Sequence, residues 1–114
     1  MKLEFNELEN GIRLIKLIGA LDLSGRYGIE IEFVRRCAGE NVRVLVDLSE
    51  VDYISSIGVH MLITSANSVA GRGGKMALLN PRPTVLEVLD LTGILQLIPI
   101  FSELESAQAG MSAG

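Results

Sequence analysis

Two adjacent serines, Ser55 and Ser56, sit in the stretch DLSEVDYISSIGVHML of residues 47–62, where an apolar run gives way to apolar residues at helical spacing. A hydroxyl at such a junction has two uses. It is either a helix N-cap that accepts from the free amides of the first turn, or a group that a modifying enzyme reaches. Backbone amides at a helix start lack partners and the dipole is positive there, so a phosphate on Ser56 would be stabilised by that turn. Gly58 has no side chain, which would let another chain approach. His60 follows Ser56 by four residues, the spacing at which side chains of one helix meet, as a nucleophile and its base must. A hydrolase also needs an oriented base and an oxyanion hole in a pocket, and no other residues of the sequence assemble those.

The remaining candidates carry less chemistry. Cys37 is the single cysteine, so no internal disulfide forms, and its place among helix-patterned residues reads as a small core side chain. Gly71, Gly73 and Gly74 surround Arg72 without the lysine-serine ending of a phosphate-binding loop, so they read as a helix stop and turn. No cofactor or metal is expected. The 114 residues carry a formal charge of −4 with scattered basic residues, only Arg35 and Arg36 being adjacent, and there is no Trp. Those features argue against nucleic acid as a partner. The longest apolar stretch, residues 94–101, is interrupted by Gln96 and Pro99 and is too short to enter and span a bilayer. With no secretion-signal pattern at the N-terminus, the sequence reads as cytoplasmic.

The elements that must hold these residues follow from periodicity. Residues 2–7 alternate as an edge strand, Asn10-Gly11 signals a turn, and residues 12–18 resume strand period, so the chain opens with a hairpin that Gly19 ends. Ser24 is the expected cap of a first helix with Tyr27, Ile31, Val34 and Ala38 at helical spacing. Residues 42–48, VRVLVDL preceded by Asn41, read as a strand buried on both faces. A second helix is expected over residues 57–70, a strand over 75–80, a third helix from Pro83 or Thr84 to Gly93, a last strand over 95–101 and a final helix capped by Ser102. The order ββαβαβαβα makes an α/β fold with a mixed sheet of about five strands flanked by helices. Residues 1–108 form the one domain, and residues 109–114 read as a flexible C-terminal tail.

Four ordered matches then carry a resemblance: Gly19-Ala20-Leu21-Asp22, the run VLVDLSEVDYISSIGV, the glycine-rich break before KMALLN, and the late LTGILQLIPIF. Together, over roughly residues 3–108, they resemble the STAS domains of the anti-sigma factor antagonist family. The resemblance implies a non-enzymatic protein-binding switch. Such an antagonist captures an anti-sigma factor that is also an ATP-dependent serine kinase, and phosphorylation of a serine ahead of the second helix releases it. The acceptor maps to Ser56, Ser55 takes a place where many members carry Asp, and Asp22 matches an acidic residue near the acceptor. The partner surface so implied comprises Asp22, Ser24, Ser55, Ile57, Gly58 and Val59, with ATP bound by the partner. The chain departs from the family pattern at Ala20, Ile57 and His60. Two other readings stay open: an unphosphorylated STAS scaffold of a transporter or lipid-transport complex, and a small enzyme or ligand binder using Ser56 and His60.

Overall fold

A computed structural model describes residues 1–112. The chain opens with the expected hairpin, β1 (Lys2–Glu7) and β2 (Arg13–Leu21), joined through a turn in which Gly11 adopts φ +83°. Four helices and three further strands follow in alternation: α1 (Leu23–Arg36), β3 (Arg43–Ile54), α2 (Ser56–Gly71), β4 (Lys75–Leu79), α3 (Pro83–Thr92), β5 (Ile100–Phe101) and α4 (Leu104–Ser112). A single turn of 3₁₀ helix over Ile94–Gln96 links α3 to β5. The sheet order is β1-β2-β3-β4-β5, with β1 antiparallel to β2 and every other pair parallel. The mixed five-stranded α/β architecture expected from the element order is therefore present.

Strands laid down in sequence order with crossovers of one hand put their helices on one face. Accordingly, one core cluster joins Phe33 of α1, Leu62 of α2 and Leu89 of α3 to Ile15, Leu17, Val44, Val46 and Leu78 of the sheet. The other face is covered only in part, by Ala107 and Met111 of α4 against Leu45, Ala77 and Leu79. Toward β1 that face is polar, with an ion pair between Lys16 and Glu50. The far end of the domain is tied by arginines. Arg13 donates to the carbonyls of Arg36 (3.0 Å) and Ala38 (2.6 Å), and Arg72 to those of Cys37 (2.8 Å) and Gly39 (2.9 Å). Cations at the carbonyl end of α1 oppose its dipole and satisfy acceptors the helix leaves open.

Several sequence expectations need correction. Gly19 does not end β2. It takes φ +111°, the pairing with β3 shifts register there, and the strand continues to Leu21. Likewise β3 runs on from the expected 42–48 to Ile54. The cap of α1 is Asp22, not Ser24. Its buried face is Gly25, Ile29 and Phe33, so Tyr27, Ile31 and Val34 point outward. The helix is apolar on two faces, and periodicity alone does not choose between them. The strand expected over 95–101 shrinks to Ile100–Phe101, because Ile94 and Ile98 enter the core from a 3₁₀ turn. At the C-terminus the tail expected from Ala109 is instead helix as far as Ser112, held by buried Met111. Residues 113 and 114 lie outside the described residues.

Candidate functional site

Leu21 and Ile54 are register partners at the carboxyl ends of β2 and β3. The residues that follow them, Asp22 and Ser55, are the N-caps of α1 and α2. Two helix starts therefore lie side by side at the carboxyl ends of neighbouring strands. Both starts are built alike. An oxygen of the Asp22 carboxylate accepts from the Gly25 amide at 2.8 Å, and the Ser55 hydroxyl oxygen accepts from the Gly58 amide at 3.4 Å. The shared pattern is a cap, two residues and a glycine: DLSG and SSIG.

The glycines serve the fold. A Cβ on Gly25 would lie 2.0 Å from the Ala20 carbonyl oxygen, and one on Gly58 would lie 2.4 Å from that of Leu21. Backbone carbonyls cannot retreat as flexible side-chain ends do, so only glycine lets each helix start rest on β2. Gly58 is buried, and the space its missing side chain leaves is filled by this chain's own strand. Val59 is 3% exposed. Both residues support the surface from beneath.

What remains outside is compact. Ser55 is half-buried, and besides capping α2 its hydroxyl donates to the Leu21 carbonyl at 3.4 Å while its amide donates there at 3.1 Å. Ser56 is the first residue of α2 and is exposed. The helix geometry supplies no intrahelical acceptor for the amides of Ser56 and Ile57, which leaves local donors beside the Ser56 hydroxyl. Ile57 and Asp22 are half-buried, and Ser24, Asp52 and His60 are exposed. Leu23 and Tyr53 are exposed as well, and neither was singled out in the sequence. The cap-x-x-Gly repeat was the signal that could have paired the two helix starts.

Chemistry of the hydrolytic kind finds little here. His60 and Ser56 are both exposed, and neither lines any of five hollows among the described residues. One of about 420 Å³ sits beside Asn41, Arg43 and Lys75, and one of about 270 Å³ between α1 and α2 is lined by Val34, Thr64 and Ser68. Cys37 is buried, and that burial pushes its thiol up to about 11 against the countering effect of Arg72 and Arg13. Among the described residues no group of three or more His, Cys, Asp or Glu side chains is arranged to hold a metal ion, and no helix is long and apolar enough to cross a membrane.

The comparisons with known proteins agree with this fold. BtrV of Bordetella bronchiseptica, assigned by name to the anti-sigma factor antagonists, is 28% identical over 109 residues, covering 96% of this chain and 93% of its own length. A solved STAS-domain protein from Planctomyces limnophilus superposes with a TM-score of 0.86 at 20% identity, over 97% of this chain and 98% of that one. The anti-sigma factor antagonist SpoIIAA of Bacillus, in its unphosphorylated form, gives 0.77 at 20% identity over 96% of each chain. The profile of the STAS domain matches residues 6–107, and the chain belongs to the STAS domain family.

Proposed function

We propose that this chain is an anti-sigma factor antagonist that captures a partner anti-sigma factor kinase and is released when Ser56 is phosphorylated. One observation carries the reading. Of the two adjacent serines, Ser55 is folded into the helix start as its cap, whereas Ser56 stands exposed one position later. The two hydroxyls thereby have separate duties, one structural and one open to an enzyme. The names of the relatives agree with a role in sigma-factor control, and the resemblance around Ser56 supplies the acceptor.

In the proposed reaction the Ser56 hydroxyl oxygen forms a bond to the γ-phosphorus of ATP as the bond to ADP breaks, and its proton passes to a base of the partner. ATP and its metal belong to that partner. The phosphate adds a charge of about −1.5 to −2 at neutral pH, beside local amides that stabilise it. The fold need not change, since Ser56 supports nothing beneath it. A partner surface complementary to a neutral hydroxyl then meets a doubly charged group and a desolvation cost. A coupling of about 1–3 kcal/mol weakens binding by roughly 5- to 150-fold.

The test is phosphorylation by the chain's own anti-sigma factor kinase with ATP, followed by site mapping by mass spectrometry. One phosphate on Ser56 with loss of the complex is expected, along with constitutive binding by Ser56→Ala and weak binding by Ser56→Asp. Phosphate on Ser55 alone would overturn the assignment of the acceptor. No phosphate on either serine would favour the STAS scaffold reading.

A further inference from the structure

Four large apolar side chains lie on the outer face of α1. Leu23 is 49% exposed, Tyr27 77%, Ile31 84% and Val34 55%. Their spacing of four, four and three residues puts them in one row along about three turns, a length of roughly 16 Å. The fold has no use for them, because the opposite face, through Gly25, Ile29 and Phe33, makes the core. Their exposed area is about 500 Å², at the size of the largest apolar patches on monomeric proteins, which are often functional.

The surroundings limit what covers this row. Arg26 is ion-paired with Glu30, and Arg36 with Glu32 at 3.6 Å. Four of the flanking charges are thus paired within the helix, which leaves Arg35 as the one flanking cation outside these pairs. They form no cationic stripe for a phosphate-rich surface, so the complementary surface is apolar. A second copy joining row to row would bury about 500 Å² a side, short of the roughly 800 Å² per partner of a stable specific interface. A partner already held nearby needs only to extend its contact. The row begins at Leu23, next in chain to the cap Asp22, and its far end, Val34, also lines the hollow between α1 and α2. It therefore runs from the paired helix starts, along the outer face of α1, to the hollow that Val34 helps to line.

We infer that the outer face of α1, through Leu23, Tyr27, Ile31 and Val34, docks an apolar helix face of the same anti-sigma factor that meets Ser56, as a second contact whose contribution to affinity is separate from that of Ser56. The inference rests on the proposed function. A helix laid along α1 would meet anchors at the spacing that amphipathic helices use for grooves. Most of the row lies one to three turns away from the phosphate, so its share of the affinity persists when Ser56 is modified.

Photo-crosslinking in the native cell tests this, with benzoylphenylalanine placed in the full chain at Tyr27 or at His60 and the adducts identified by mass spectrometry. The same anti-sigma factor captured at both positions is the expected result. Capture of it at His60, with only a second copy of this chain or nothing at Tyr27, would overturn the α1 contact and leave the proposed function standing. No anti-sigma factor at either position would remove both. With the captured protein purified, the double variant Tyr27→Ser, Ile31→Ser should bind about 10- to 100-fold more weakly in Ser56→Ala and Ser56→Asp backgrounds alike, at unchanged Tm. Wild-type affinity of that double variant in either background would refute the inference.

Discussion

The candidate site depends on α2 beginning in contact with β2, and Gly58→Ala tests that dependence directly. Helix propensity favours the change, since alanine in a helix interior is better than glycine by about 0.8–1 kcal/mol. Sterics oppose it. The new Cβ would stand 2.4 Å from the Leu21 carbonyl oxygen, 2.8 Å from the Leu21 Cγ and 3.1 Å from the Ile54 Cγ1. The first of these is backbone within a paired strand, so α2 itself must move away by several tenths of an ångström. Overpacking of a well-filled site costs about 1–3 kcal/mol, and a rigid obstacle belongs at the upper end. Sterics should therefore win by about 2 kcal/mol, lowering Tm by roughly 8 °C at about 4 °C per kcal/mol for a domain of this size. Gly28→Ala is the control. Gly28 lies in α1 with only the Met1 carbonyl oxygen at 4.0 Å from its would-be Cβ, so propensity should act alone and raise stability by about 0.5–1 kcal/mol. Thermal unfolding followed by circular dichroism measures both. A Gly58→Ala protein as stable as wild type, or more so, would refute the argument that glycine is required for the helix to rest on the strand.

Other outcomes follow from the same structure. Ser55→Ala should cost about 0.5–1 kcal/mol, the low end for a lost cap because its hydrogen bond to Gly58 is long, whereas Ser56→Ala should change stability by less than about 0.5 kcal/mol; urea unfolding of the two variants separates the structural serine from the exposed one. Gly73→Ala should destabilise by roughly 1–2 kcal/mol, because Gly73 holds φ +80° in the turn that closes α2, where its amide and that of Gly74 donate to the carbonyls of Ala70 and Val69; an unchanged unfolding midpoint would contradict this. With its thiol held at about 11 against an ordinary value of 9.0, native Cys37 should alkylate at pH 8 at least about 100-fold more slowly than the unfolded chain, because so little thiolate is present. The unfolded chain loses this proton first as pH rises, so the Cys37 contribution to stability is full below pH 9 and is lost between pH 9 and about 11; mass-detected iodoacetamide labelling and a pH series of melts check the two statements.

Local pattern was enough for the order of elements and for the α/β class. The alternation in residues 2–7, the Asn10-Gly11 turn, the apolar run in 42–48 and the glycines around Arg72 each reflect short-range chemistry that a chain segment carries with it. The family was legible for the same reason, since its motifs lie within such segments. Serine at the start of α2 was legible too. Division of labour between Ser55 and Ser56 was not, because which residue caps a helix depends on where the preceding strand stops, and β3 stops at Ile54 only after pairing with Leu21.

The same limit explains the other misreadings. Gly19 looks like a break in isolation, yet ladder hydrogen bonds to β3 carry the strand through it to Leu21. Gly58 looks like an opening for a partner, yet the neighbour it admits is a carbonyl 37 residues earlier in the chain. On α1 two apolar rows compete, Gly25-Ile29-Phe33 and Tyr27-Ile31-Val34. Hydrophobicity by itself favours neither. Close approach to the sheet decides between them, because only the row with a glycine at its head lets the helix start pack against the Ala20 carbonyl. Sequence alone thus determined which elements form and in what order. Which face of each turns inward, and so which serine and which apolar row stay exposed, was settled by contacts between residues far apart in the chain.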